Sequence, residues 1–348
     1  MSHGTVLHLF GWNKIFVLLF RDFVHEHFDG DWHRFIIYGD VMEEDVPASP
    51  DTRVMPSIFR HIVAMTKAMN KADKIILHGL FNNHLFYLLA MQPWLLKKCY
   101  WVMWGGDLYI HEAPDRDWRW RKNEIFRQFI VKRIGHFITC IKGDYELARK
   151  WYGAKGEYHH CLMYPSNLYK DIVLAHKNGA AINILVGNSA DPTNNHAEIF
   201  DKLSAYQQKN IKIICPLSYG PADNAERIAK LGKERFGDKF EPLLDFMPFE
   251  NYLELLGQID IAVFAHKRQQ GMGNTISLLG LGKKVYMRND VTQWGLFSEL
   301  GVRVFDIACL DIFPMTPDEM VRNKEIISGY FTEKKLIEQF AGIFGEEK

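Results

Sequence analysis

Short apolar runs alternate with stretches of helical length along almost the whole chain, and this alternation most restricts the fold. Thr5 to Phe10, Arg34 to Tyr38, Lys74 to His78, Cys99 to Trp104 and His136 to Cys140 read as strands. Between them, Ser57 to Met69, Asn83 to Met91 and Trp118 to Lys132 have the length and period of helices. Strands separated in this way are joined by crossovers, and the crossover helices cover both faces of a parallel sheet. The pattern fades in a polar stretch after Tyr164-Pro165-Ser166-Asn167. It restarts with Ala181 to Val186, Ile211 to Pro216, Phe240 to Leu244, Ile261 to Phe264 and Lys284 to Met287. The reading is an α/β chain of two Rossmann-like, doubly wound domains, residues 1–165 and 181–331, joined by a linker at 166–180. A final helical pattern within 332–348 is expected to return towards the first domain. A length of 348 residues also favours two cores over one.

Charge and cysteine usage exclude several classes. Lys plus Arg equals Asp plus Glu, 42 against 42, so no global field favours nucleic acid. The five cysteines (Cys99, Cys140, Cys161, Cys215 and Cys309) are scattered without a CxxC pair, the pattern of reduced thiols rather than of a disulfide framework. The N-terminal stretch has no basic region leading into a cleavage site, and its apolar run, Ile15 to Phe20, stops at Arg21-Asp22. A cytoplasmic location is the expectation.

In open α/β sheets ligands bind beyond the carboxyl ends of the strands. Three such ends in the second half are rich in small and hydrogen-bonding residues: 187–196, which holds Asn188 and Ser189; 216–220, with Ser218 and Tyr219; and 266–275. The last carries Arg268, Gln269, Gln270, Gly271, Gly273, Asn274 and Thr275 directly before a helical run from Ile276 to Leu281. A helix N-terminus offers unpaired N–H groups and partial positive charge, and an arginine fork suits phosphate oxygens. The stretch is built as a diphosphate cradle. A bland reading stands beside it, in which Gly271 and Gly273 allow a tight turn and Asn274 or Thr275 caps a helix. No GxxxxGK[ST] occurs, so the loop is not a P-loop.

Four motifs, "LHGLFN" at 77–82, "WGGDLY" at 104–109, "ILVGNSADPTNNH" at 184–196 and "RQQGMGN" at 268–274, resemble those of glycosyltransferase family 56 in order and spacing. The likeness spans nearly the whole chain and is weaker at the extreme N-terminus and from 111 to 125. It implies a GT-B fold, with the two domains facing each other across a cleft, the nucleotide sugar on the C-terminal one and the acceptor on the N-terminal one. It implies transfer of 4-acetamido-4,6-dideoxygalactose (Fuc4NAc) from a dTDP donor to a lipid-linked saccharide in enterobacterial common antigen-like synthesis. Asn188 and Ser189 are then placed near the diphosphate or donor sugar, 268–275 around the phosphates, and Phe246-Met247-Pro248 beside the thymine ring. Other readings on such a fold are a nucleotide-sugar epimerase and a non-catalytic nucleotide-sugar-binding protein.

Candidates for activating an acceptor hydroxyl lie at strand ends of the first half: His8, His78, Asp107 and Glu112, with Asp107 first and His78 second. Each has a structural alternative, an N-cap or glycine-loop bond for Asp107 and a satisfied core position for His78. Asp115-Arg116-Asp117 has the DxD spelling of a metal site, but it leads into a helical segment, where helix capping is the stronger reading. Activity without a metal ion is expected, and no other cofactor. Residues 116–133, "RDWRWRKNEIFRQFIVKR", carry seven Lys/Arg against two acidic residues, with aromatic and aliphatic side chains interleaved. A helix of that composition is either a core helix with a solvated basic face or one suited to an anionic bilayer surface; with the lipid-linked acceptor that the resemblance implies, a peripheral location on the inner face of the bacterial inner membrane is the expectation.

Overall fold

A computed structural model describes residues 4–113, 115–171 and 179–346, apart from the side chain of residue 249. The chain divides into two compact units, Met1–Ser166 with Glu333–Lys348, and Asn167–Thr332. The expected linker at 166–180 falls partly outside the described residues, at 172–178. Within the described part, Tyr169 already belongs to the second unit and bonds through its N–H to the Phe331 carbonyl at 2.9 Å.

The first unit runs β1 (Val6–Gly11), α1 (Lys14–His27), β2 (His33–Tyr38), β3 (Thr52–Met55), α2 (Ile62–Lys71), β4 (Lys74–His78), α3 (Asn83–Met91) and β5 (Cys99–Val102). It continues through α4 (Gly106–Tyr109), α5 (Trp118–Val131), β6 (His136–Thr139), α6 (Lys142–Tyr152) and β7 (Glu157–His160). The second unit runs β8 (Ile182–Val186), α7 (His196–Leu203), β9 (Ile211–Pro216), α8 (Ala222–Phe236), β10 (Phe240–Leu243) and α9 (Phe249–Gln258). After these come β11 (Ile261–Phe264), α10 (Met272–Gly280), β12 (Lys284–Met287), α11 (Thr292–Glu299), β13 (Phe305–Asp306) and α12 (Pro317–Tyr330). The last helix, α13 (Glu333–Phe344), packs in the first unit, where Phe340 meets Phe20 and Phe344 meets Phe28 and His33.

Both sheets are parallel throughout the paired strands. Their orders are β3-β2-β1-β4-β5-β6-β7 and β10-β9-β8-β11-β12-β13. In each, the chain starts at the centre, builds outwards to one side and then crosses to the other. The switch points therefore lie between β1 and β4, and between β8 and β11, where the crevice for a ligand opens. Central strands are apolar on both faces, because helices cover both: every residue of Ile261–Phe264 and of Cys99–Val102 is buried.

Three strands escape the sequence pattern, β3, β7 and β13, and all three are sheet edges. An edge strand has one neighbour and less apolar cover, so Glu157-Tyr158-His159-His160 is not an apolar run although it pairs with β6 along its whole length. Helix starts follow local chemistry. Asn82 caps α3, and Asp117 caps α5 by accepting from the Trp120 N–H at 2.7 Å, which gives the second Asp of the DxD spelling a structural task. Thr316 and Glu319 form a reciprocal capping box on α12, with Pro317 in its first turn.

Candidate functional site

The loops after β8 and β11 meet at the switch point of the second unit. Gly187 ends β8 with φ +67°, a left-handed conformation, and its N–H bonds to the Val263 carbonyl at 3.0 Å. A Cβ here would come within 2.8 Å of both Asn194 Oδ1 and His196 Nε2, so only glycine lets the loop close over these groups. Asn194 is fully buried and holds the loop together. Its Oδ1 accepts from the Asn188 N–H and from His266 Nε2, both at 2.9 Å, and its Nδ2 donates to Ser189 Oγ and to the Asp191 carbonyl, both at 3.0 Å. Asn195, in a left-handed conformation at the start of α7, donates to the Ala265 carbonyl at 2.8 Å.

The second loop is tied to the first by side chains. Gln270 accepts from Thr193 Oγ1 at 2.7 Å and donates to Asn188 Oδ1 at 3.3 Å. Gln293, on α11, clamps the backbone of Gln270 from behind: its Oε1 accepts from the Gln270 N–H, and its Nε2 donates to the Gln270 carbonyl. Gly271, at φ +65°, forms the N-cap of α10, and a Cβ there would press on Asn188 Nδ2 at 3.1 Å. Helix geometry leaves the first amides of α10 without intrahelical acceptors, so partial positive charge gathers beside Asn188 and Gln270. Arg268 stands next to this helix start, 3.8 Å from Asp191 Oδ2. Gln269 is 6% exposed, and its buried Oε1 has no hydrogen-bond partner among the described residues. A buried amide oxygen without a partner is costly, and a ligand donor would remove that cost.

The structure thus brings together Asn188, Ser189, Arg268, Gln269, Gln270, Gly271, Gly273 and Asn274. Thr275 differs in kind. It is buried and its hydroxyl is consumed by the Gly271 carbonyl at 3.0 Å, so its task is inside the helix. Ser218 and Tyr219 follow β9, one strand further out; both are exposed, and the Tyr219 carbonyl accepts from the Ala190 N–H at 2.6 Å. Phe246, after the edge strand β10, is 71% exposed. Thr193, Asn194, His266 and Gln293 were not singled out in the sequence. Asn194 and His266 lay within stretches already marked by their position, whereas Gln293 carried no signal.

Two histidines of this site are held neutral. Burial lowers His196 to about 4, with Arg227 adding to the effect, and lowers His266 to about 3, with Arg268 adding. Both lie below the ordinary value of 6.5. The unfolded chain therefore binds more protons below that pH, and stability present above it is lost as pH falls towards the folded values. Thermal unfolding of the intact protein is expected to weaken below about pH 6.5, by up to about 1.4 kcal/mol per pH unit for each such ring. His266→Gln keeps a donor for Asn194 but cannot titrate, so its stability should fall less steeply with acid; an unchanged slope would remove His266 from the account.

In the first unit, Asp107 is fully buried at the end of the β5 loop. Its carboxylate accepts from the Leu80 N–H (2.9 Å), Trp101 Nε1 (2.7 Å), the Trp104 N–H (3.0 Å) and the Leu108 N–H (3.0 Å). Burial pushes its pKa up, and the bonds from Leu80, Trp101 and Trp104 offset only part of that rise. With its oxygens committed to four donors, Asp107 ties the loops after β4 and β5 together. His78, 3% exposed, belongs to a chain of contacts: Trp104 Nε1 to the Tyr164 hydroxyl (2.8 Å), Tyr164 to His78 Nδ1 (2.8 Å), and His78 Nε2 to His8 Nδ1 (3.1 Å). It continues from His8 Nε2 to His33 Nδ1 (2.9 Å) and from His33 Nε2 to Glu346 Oε1 (2.9 Å). Burial lowers the pKa of all three rings, against an upward pull from Glu346 on His33. Glu112 is exposed.

On α5, the charge count of the sequence needs one correction. Arg127 and Glu124 are buried and paired at 2.7 Å, and Glu124 also meets His111 Nδ1 at 2.6 Å. The other six basic residues of 116–133 are exposed, together with Trp118 at 68% and Ile125 at 69%. No helix among the described residues is long and apolar enough to cross a membrane.

Two parallel, doubly wound sheets with a polar cradle at the second switch point define a class, and solved structures agree with it. HepE from Anabaena, in complex with UDP-glucose, superposes with TM-score 0.61 at 13% identity over 99% of this chain and 95% of its own. Sucrose-phosphate synthase from Thermosynechococcus elongatus gives 0.65 at 11% identity, over 98% of both chains. WaaG, a glycosyltransferase of lipopolysaccharide biosynthesis, gives 0.59 at 11%, over 99% of this chain and 96% of its own. The fold is the GT-B fold of glycosyltransferases.

Within that class, the family profile described as 4-alpha-L-fucosyltransferase, glycosyl transferase group 56, matches residues 12–303, and the chain belongs to this family of glycosyltransferases.

Proposed function

We propose that this glycosyltransferase moves a 4-acetamido-4,6-dideoxygalactosyl group (Fuc4NAc) from dTDP to a lipid-linked saccharide in surface polysaccharide synthesis of the enterobacterial common antigen type. The observation that carries the reading is the cross-linked pair of loops at the second switch point, closed around the start of α10, in a chain of family 56. As the bond from the anomeric carbon to the β-phosphate oxygen breaks, its electron pair stays on that oxygen and the departing diphosphate gains one negative charge. The N–H groups of α10 and the Arg268 guanidinium answer that charge without reorganising, which is where such a site lowers the barrier most. Asn188 and Gln269 present amide groups suited to the sugar or the phosphates. In this reading Asp107 is a positioning residue for the loops that meet the acceptor, because its oxygens are already filled by four N–H donors.

The exposed basic residues of α5, with Trp118 and Ile125, support an acceptor carried in an anionic membrane. Aromatic and aliphatic side chains enter the interface while lysine and arginine meet the headgroups.

The donor is tested by thermal unfolding with dTDP, UDP, GDP and CMP. A ligand bound only by the folded state at a hundredfold excess over its Kd stabilises by about 2.7 kcal/mol. A shift with dTDP alone is expected, followed by sugar transfer from dTDP-Fuc4NAc to a lipid-linked acceptor. A preference for UDP or GDP would overturn the donor assignment, and no shift with any of the four would reduce the cradle to a structural turn.

A further inference from the structure

We propose that His136, Glu157 and His159 form a binding site for a divalent transition-metal ion, Zn²⁺ by the chemistry of its ligands, at the edge of the first unit's sheet. Register places the residues together. Tyr100 of β5 pairs with His136 of β6, His136 pairs with Glu157 of β7, and His159 lies two residues further along β7 on the same face.

The ligand atoms are already spaced for an ion. His136 Nδ1 lies 2.9 Å from His159 Nε2, and Glu157 Oε2 lies 3.5 Å from the first and 3.8 Å from the second. A tetrahedral zinc ion with bonds of about 2.0–2.1 Å separates its ligands by about 3.3–3.4 Å, a value these three gaps bracket. Two imidazoles and one carboxylate leave a fourth position for water. Soft or borderline ions suit such nitrogen-rich sets, and Mg²⁺ or Ca²⁺ does not.

The rings are prepared for this. His136 stacks on Tyr100 with centroids 3.9 Å apart and planes 6° from parallel, which fixes its orientation. Lys74 is a nearby charge that opposes a cation, while Glu157 attracts it; the Lys74 ammonium is engaged with the Ile343 carbonyl at 2.6 Å. Without an ion, the two nitrogens can share one proton at most, and Glu157 stands beyond hydrogen-bonding range of either.

The site stands apart from the transfer chemistry. His136 and Glu157 are the first residues of their strands, at the amino edge of the sheet, whereas Trp104 and Asp107 follow the carboxyl end of β5. Its consequence is mechanical: an ion would staple the edge strand β7 to β6.

The test is calorimetric titration of tag-free protein with zinc sulfate, with MgCl₂ as control. One saturable zinc site per chain is expected, with no magnesium heat and an unfolding midpoint that rises with zinc concentration. His136→Gln and His159→Gln should each weaken binding by about a hundredfold and Glu157→Gln by about tenfold, all three still unfolding cooperatively without zinc. Absence of saturable binding in the wild type would overturn the site, as would wild-type affinity in the His136→Gln/His159→Gln double variant. Unchanged affinity in Glu157→Gln would overturn the three-ligand centre. None of these readouts depends on the sugar donor.

Discussion

Asn194→Ala is expected to lower sugar transfer by about a hundredfold and to cost about 2–4 kcal/mol of stability in the second unit. The side chain is fully buried, and all four of its bonds run to the two loops at the second switch point: the Asn188 N–H, His266, Ser189 and the Asp191 carbonyl. Truncation removes the acceptor of the buried His266 ring and of the Asn188 N–H, while Ser189 Oγ keeps the Asp191 N–H and the Asp191 carbonyl keeps the residue 194 N–H, so the cost falls mainly on the first two. It also releases Asn188, which faces Gln270 and the start of α10, so the catalytic loss comes from misplacement. Asn194→Asp retains an acceptor for Asn188 and His266 but loses both donated bonds, and should fall between the two. Transfer kinetics beside chemical denaturation would check this; a wild-type kcat in Asn194→Ala would show that the loop does not position the donor.

Arg268→Ala is the second large effect, at least about tenfold in kcat with the thermal midpoint nearly unchanged. Arg268 is partly exposed, donates to the Gln269 carbonyl at 3.1 Å and lies 3.8 Å from Asp191 Oδ2, and ion pairs at such exposure add little to folding. In the proposed reaction its fork acts when charge builds on the departing phosphate, and the loss should therefore appear in kcat more than in donor KM. Arg268→Lys keeps the charge without the bidentate geometry and should recover only part of the rate. Equal turnover in Arg268→Ala and wild type would remove the arginine from the cradle.

Much of this architecture is legible in the sequence, because doubly wound sheets bury their central strands on both faces. Ile261–Phe264 and Lys74–His78 announce themselves as apolar runs and lie where they were read. The edge strands β3, β7 and β13 do not, since half-exposed positions accept polar residues. The candidate site was legible only as loops at the carboxyl ends of strands, two of which, after β8 and β11, meet in the structure. It was not legible to the level of the atom. Thr275 and Asn274 look alike in the sequence, yet helix geometry turns the Thr275 hydroxyl back to a carbonyl. Gln293 lies 23 residues from Gln270 and is brought to it only by the crossover through β12. Arg127 reads as surface charge, and only packing shows it paired with Glu124 out of water.

The imidazole chain of the first unit bears on how its sheet is assembled. An indole N–H can only donate and a carboxylate can only accept, so the run from Trp104 to Glu346 has one polarity, and every proton between them has an assigned nitrogen or oxygen. Valines, leucines and isoleucines in neighbouring strands would tolerate sliding past one another; these rings do not. A slip of β1 by one residue against β2 and β4 carries His8 to the opposite face and breaks the run on both sides of it. Three polar rings in an oily interior thus act as a key, and only the aligned sheet, with the C-terminal segment seated, lets it turn.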